Sequence, residues 1–271
     1  MKISLYLASP RIKFLHSSMC KKDLTDGIKL AANCGYNGVE ILPSNFNELN
    51  PSIIKDVISS YRIELVVISS AFLRINYGLS ISDPNKIQLA IRYLKRCIDY
   101  AWRLECPFLS IGLIRGVRIK NISDKHALSL IVDSLRNCGK YAKDCGIFLL
   151  IEPENRYETD FIHTIEEGIK LIENINLESV RLMVDTFHMN IEERSIEEAL
   201  DMASKYLLHV HIADSNRLAP GMGHFDFKAF FKKLKQIGYD KYLGVEITAF
   251  PDPETSARRS IDFVKKFYRD A

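Results

Sequence analysis

The chain has 271 residues, 47% hydrophobic and 26% charged, with a formal net charge of +3. That length suits one eight-unit α/β barrel, and the composition excludes a disordered or fibrous chain. The mild positive excess includes no like-charge run of the kind a nucleic-acid arm needs, no apolar run reaches the ~18 residues of a membrane span, and the short apolar start is broken by Pro10 and Arg11 before it could serve as a signal segment. The expectation is a cytoplasmic enzyme of one domain, residues 1–271, acting on a small molecule, without nucleic acid or membrane.

Taken in chain order, short β-branched runs alternate with longer amphipathic patterns. Strands are expected near 3–8, 37–42, 63–70, 107–113, 147–152, 180–185, 207–212 and 242–247. Helices are expected over 23–34, 51–61, 84–105, 124–145, 161–175, 195–204, 226–237 and 254–269. Ser82-Asp83-Pro84, Ser123-Asp124 and Ser195 supply capping oxygens at helix starts, and Gly35, Gly146 and Gly238 stand just past helix ends, where a left-handed residue is wanted. Runs such as Glu64-Leu-Val-Val-Ile68 and Ile147-Phe-Leu-Leu-Ile151 are almost wholly apolar, as parallel strands buried on both faces must be. An open doubly wound sheet would show a glycine-rich turn after its first strand, and Ala8-Ser-Pro-Arg11 is not one. The pattern predicts a closed (β/α)8 TIM barrel. The six cysteines are scattered, with no C-x-x-C pair, and are expected to be reduced and buried.

A TIM barrel places its chemistry at the C-terminal ends of its strands. Strand five ends in Glu152, strand six in Asp185, strand seven holds His211 near its end, and strand eight carries Glu246. Three carboxylates converging on one buried mouth are costly unless a cation neutralises them. Oxygen donors with one imidazole suit Mn2+, Mg2+ or Co2+ better than a thiolate-rich structural zinc site would. Nearby loops add Asn155, Arg156 and Glu158, then His188 and Asn190, then Asp214, Ser215, Asn216 and Arg217, a polar set suited to a hydroxylated substrate.

The segments Ile151-Glu-Pro-Glu-Asn-Arg-Tyr-Glu-Thr-Asp160, Val184-Asp-Thr-Phe-His-Met-Asn-Ile-Glu-Glu193, His209-Val-His-Ile-Ala-Asp-Ser-Asn-Arg217 and Ala219-Pro-Gly-Met-Gly-His-Phe-Asp-Phe227 closely resemble the D-tagatose 3-epimerase-like ketose epimerases of the xylose-isomerase-like barrel superfamily. The resemblance implies that Glu152, Asp185, His211 and Glu246 bind one divalent metal, Mn2+ ahead of Mg2+ or Co2+. It implies that Glu152 and Glu246 are the acid/base pair, and that Glu158, His188 and Arg217 contact the substrate, a keto-sugar or keto-sugar acid epimerised at carbon 3 through a cis-enediolate. Family members are often dimers or tetramers.

After strand four, Ser110-Ile-Gly-Leu-Ile-Arg-Gly116 departs from the best-known sugar epimerases and, with Asn155-Arg-Tyr-Glu-Thr-Asp160, looks more like a branch that includes epimerases of keto-hexonates such as 5-keto-L-gluconate. Arg115 would then pair with a substrate carboxylate or phosphate; the alternative is an arginine solvated in its loop. An aldose–ketose or hydroxypyruvate-type isomerase would use the same enediolate chemistry. An apurinic-site endonuclease would need further metal ligands on the earlier strands, where Ser69, Ser70 and Ser110 stand and mainly Glu40 is left. A non-catalytic sugar-sensing barrel is the third class, and the complete ligand and acid/base set argues against it.

Overall fold

In the computed structural model, which describes residues 1–12 and 19–270, every apolar run predicted to be a strand forms one. They are β1 (Lys2–Ala8), β2 (Gly38–Leu42), β3 (Glu64–Ser69), β4 (Phe108–Ile111), β5 (Phe148–Ile151), β6 (Val180–Asp185), β7 (Leu207–Ile212) and β8 (Tyr242–Val245). Each pairs in parallel with the next, and β8 returns to β1 to close the barrel. Closure removes the two sheet edges, so the strands' backbone groups find partners around the ring.

The helices are α1 (Leu24–Asn33), α2 (Pro51–Tyr61), α3 (Ala71–Ile75), α4 (Ile87–Arg103), α5 (Asp124–Asp144), α6 (Ile165–Ile175), α7 (Thr186–Glu192), α8 (Ile196–Ala203), α9 (Phe227–Gln236) and α10 (Pro253–Asp270). Each longer helix buries one apolar stripe: Phe227, Phe230, Phe231 and Leu234 are the buried side of α9, and such side chains contribute about 1.5–3 kcal/mol each when fully buried. No helix among the described residues is long and apolar enough to cross a membrane. Gly35, Gly146 and Gly238 adopt φ of +83°, +71° and +72°, the left-handed conformation expected after a helix. Five of the six cysteines are buried and Cys145 is half-buried, and burial pushes the Cys106 and Cys138 thiols up to about 12.

Two helix starts differ from the sequence expectation, and two short helices were not expected. Asp83 accepts the amide of Asn85, so Pro84 belongs to a turn and α4 starts at Ile87. Phe161 and Ile162 are drawn out of α6, Ile162 at φ +64°, and Thr164 begins the helix with a capping box that Glu167 completes. The short helices α3 and α7 were not predicted, because five and seven residues are too few for periodicity to register. Both directly follow strands on the mouth side, and α7 is capped by the terminal residue of β6, Asp185.

Two register shifts interrupt the ladders. One lies between Val39 and Glu40 where β2 meets β3, and the other between Leu182 and Met183, where β6 meets β7 and pairing passes from Leu207 to His209. Such irregularities change the direction in which the next side chains point. Truncating the capping residue, Thr164→Ala, removes an oxygen that accepts the Glu167 amide, and we expect a stability loss of about 0.5–2 kcal/mol in urea unfolding.

Candidate active site and metal centre

Four consecutive strands each deliver one donor to the barrel mouth. Glu152 and Glu246 are the first residues beyond β5 and β8, and their amides still bond to the neighbouring strands through Ile111 and Ile212. Asp185 is the last residue of β6, and His211 sits beside it in register on β7. Nδ1 of His211 lies 2.7 Å from Glu246 Oε2, 3.3 Å from Glu152 Oε1 and 3.8 Å from Asp185 Oδ2. One donor atom from each of the four residues falls within 4.8 Å of all the others.

These residues fit a divalent cation. The buried Nδ1 makes no well-directed hydrogen bond although carboxylate oxygens surround it, which is the arrangement of a lone pair facing a shared ligand. Three hard oxygen donors and one imidazole nitrogen match the preferences of a first-row or alkaline-earth ion.

The charges are also balanced by the protein. Arg217 places Nη1 2.5 Å from Asp185 Oδ2 and Nη2 3.0 Å from Glu246 Oε1, and its guanidinium lies 4.9 Å from the centre of the Phe187 ring. Its backbone has φ +63°, the left-handed region that costs a non-glycine residue about 1 kcal/mol or more. Burial alone would raise the Glu246 pKa, but Arg217 and His211 draw it well below the usual carboxylate range. Burial likewise opposes a charge on His211, yet Glu40 and Glu246 outweigh it and hold the imidazole well above its ordinary value.

Beside this centre opens a pocket whose lining includes the polar residues Glu152, Glu154, Glu158, His188, Arg217 and Glu246 and apolar groups such as Ile12, Leu42, Leu113 and Ile247. Asn155 orders two of the polar members. Its Nδ2 bonds to Glu158 Oε1 at 3.0 Å and to His188 Nδ1 at 2.8 Å, and its backbone amide also points at Nδ1. Since Nδ1 accepts, Nε2 of His188 carries the hydrogen. Burial lowers the pKa of His188, so the ring is a neutral donor.

Of the other polar loop residues, Arg156 and Asp214 have structural partners and Asn190 faces solvent. Arg156 forms a two-pronged ion pair with Glu192, and Asp214 accepts the amides of Ser215, Gly221 and Phe225 to hold the loop after β7.

Arg115 is not at the mouth as an anion reader, nor is it solvated. The short 3-10 turn Leu113–Arg115 folds it inward, fully buried, where it donates to the carbonyls of Ile111, Phe161 and Ile162 and lies 3.2 Å from Glu154 Oε2. A buried guanidinium needs a counter-charge and many acceptors, and this site spends its donors within the protein. Glu154 is the residue the sequence reading missed. It follows Glu152 by two positions, and its contact with Gly112 is so close that a Cβ there would meet Oε1 at 2.3 Å. Also missed were Glu40 and His209, which meet His211 in the barrel interior. A lone glutamate in the apolar run Gly38-Val-Glu-Ile-Leu42, and a histidine two residues before His211 on the same strand face, were the available signals.

Arg115→Ala would strand the Glu154 carboxylate, and the expected cost is about 3–5 kcal/mol in denaturant unfolding. Replacing both partners, Arg115→Met with Glu154→Leu, should cost much less. With Arg115→Met and Glu154→Leu also made singly, a double loss equal to the sum of the two single losses would show that the pair is not coupled.

The xylose isomerase-like TIM barrel family matches residues 28–267. A Synechocystis sp. protein named "Probable ketose 3-epimerase" is 27% identical over 263 residues, 92% of this chain and 88% of its own length. The D-psicose 3-epimerase of Ruminiclostridium cellulolyticum is 38% identical over 172 residues, 62% of this chain and 59% of that protein. Among solved structures, the D-allulose 3-epimerase from Methylomonas sp. in complex with D-allulose superposes with a TM-score of 0.83 at 24% identity, covering 98% of both chains, a likeness of fold. The chain belongs to the xylose isomerase-like TIM-barrel family.

Proposed function

We propose that this protein is a divalent-metal-dependent epimerase that inverts the carbon beside the ketone, carbon 3, of a neutral ketose through a cis-enediolate. The observation that carries this reading is the placement of two carboxylates, Glu152 just beyond β5 and Glu246 just beyond β8, on separate strand ends but both against Nδ1 of His211 at the wall of a pocket. Epimerisation needs a proton removed from one face of a carbon and another returned to the opposite face. Two separately mounted carboxylates meet that need, and the depressed pKa of Glu246 keeps it ionised as an acceptor.

Glu152, Asp185, His211 and Glu246 would hold the cation, Mn2+ in preference to Mg2+ or Co2+. When bound, such an ion polarises the ketone and stabilises negative charge on the neighbouring oxygens. The remaining work falls to the chain's own groups. Neutral His188 offers Nε2–H to a substrate oxygen, Glu158, steadied by Asn155, accepts a hydroxyl, and Arg217 can donate to substrate oxygen from its position over Phe187.

The place of Arg115 supports a neutral substrate. With that guanidinium committed to Glu154, Arg217 is the arginine left in the described pocket lining, and its charge is already opposed by Asp185 and Glu246. A keto-hexonate or sugar phosphate would meet Glu152, Glu154, Glu158 and Glu246 instead. A phosphodiesterase reading fares worse: β3 and β4 present Ser69 and Ser110 to the pocket, and Glu40 is bonded to two imidazoles.

The test is to incubate the Mn2+-loaded protein in deuterated water with free ketoses, keto-hexonates and ketose phosphates, and to read deuterium by NMR. Deuterium at carbon 3 of a free ketose, with its epimer appearing, is the expected result. Label at carbons 1 and 2 would make it an aldose–ketose isomerase, turnover only of the acids would overturn the neutral assignment, and no exchange with any ketose would overturn the epimerase. Chelation should abolish turnover and Mn2+ restore it. Glu246→Gln or Glu152→Gln should lower kcat by about two to four orders of magnitude, with metal content measured alongside the rate.

A further inference from the structure

On the side of His211 away from the pocket, the barrel interior holds a carboxylate that the proposed reaction does not use. Glu40, on β2, is fully buried. Its Oε2 lies 2.7 Å from His211 Nε2, and its Oε1 lies 2.9 Å from His209 Nε2 and accepts the Ser4 hydroxyl at 2.6 Å. The pocket lining includes neither Glu40 nor His209.

We propose that Glu40 is a positioning residue for the metal centre: by accepting Nε2–H of His211 it fixes the tautomer and ring orientation in which the Nδ1 lone pair faces Glu152, Asp185 and Glu246. The proposal rests on the metal-dependent reading above.

The argument is one of donors and acceptors. A carboxylate can only accept, so the nitrogen 2.7 Å from Oε2 must carry the hydrogen. With a cation in the four-donor site the imidazole would be neutral and the other nitrogen would hold the lone pair; that nitrogen, although the three other carboxylates surround it, makes no directed hydrogen bond to any of them. Rotation of the ring by a half turn would break the bond to Glu40 and turn a carbon toward it. Glu40 is itself held from two further directions, by His209 and Ser4, so it cannot follow such a rotation.

The surrounding backbone is shaped to admit this group. Gly244 on β8 is in register with both Ser4 and His211, and a Cβ there would stand 2.1 Å from Glu40 Oε1, 2.8 Å from His211 Cδ2 and 2.9 Å from His209 Nε2. Any side chain at that position displaces the carboxylate. The two ladder irregularities fall at the same level, one at Glu40 and one where pairing reaches His209. A second metal site at Glu40, His209 and His211 is disfavoured by the same chemistry, since a neutral His211 has one lone pair and the pocket-side centre uses it.

Carboxylate partners of this kind typically change metal affinity about 10–100-fold. Mn2+ titrated calorimetrically into metal-free Glu40→Gln should therefore bind about 10–100-fold more weakly than to wild type, with Glu40→Asp intermediate and most of kcat regained at saturating Mn2+. In 15N-histidine-labelled, Mg2+-loaded wild type, His211 should show a protonated Nε2 and an unprotonated Nδ1, and this needs no variant to fold. A folded Glu40→Gln with wild-type Mn2+ affinity, or a wild-type His211 protonated at Nδ1, overturns the role of Glu40 and leaves the metal reading intact. Wild type that binds neither Mn2+ nor Mg2+ overturns both.

Discussion

One imidazole stands between carboxylates on both of its edges: Nε2 of His211 is 2.7 Å from Glu40, while Nδ1 is 2.7 Å from Glu246 and 3.3 Å from Glu152. Each buried carboxylate would cost several kcal/mol if left unopposed. The rest of the mouth is arranged to meet that cost. Arg217 accepts a left-handed backbone to bring both guanidinium nitrogens against Asp185 and Glu246. Arg115 is drawn under the β5 loop for the same reason, because Glu154 adds another carboxylate to a wall that already holds three.

Barrel geometry makes this concentration achievable. Parallel strands with apolar flanks end together at one rim, so a polar residue at the end of each arrives without being carried through the core. Asp185 serves twice, as the last residue of β6 and as the cap of α7, which sets the neighbouring His188 over the pocket. Deeper in the interior, Glu40 and His209 break the usual filling of a barrel with branched apolar side chains. Gly244 supplies the room that a polar layer requires, at the expense of a packed side chain in β8.

Much of this was legible in the sequence. The eight strands stood out because their near-continuous apolar runs recur with a helical pattern after each, and His211 with the three carboxylates around its Nδ1 stood out because polar and charged groups at the ends of such runs have no packing rationale. Arg115 was misread because its partner lies 39 residues away, and nothing in a local window distinguishes a solvated arginine from one folded back on a neighbouring strand's loop. Glu40 was visible as an oddity in an apolar run, but its meaning depends on His209 and His211 across the barrel, 169 and 171 residues distant. The short helices α3 and α7 escaped for want of length. Local patterns reveal elements and their ends, whereas pairings across the interior emerge only once the ring has closed.

The double contact of Arg217 bears on how such a protein matures. In small metal-organised domains the ion is the glue, and the chain collapses only when it arrives. Here a tethered cation, the Arg217 guanidinium, already stands against two of the four acidic and imidazole donors, Asp185 and Glu246. On the metal-dependent reading, Arg217 would act as a resident counter-charge, and loading would be an exchange in which one positive charge gives way to another.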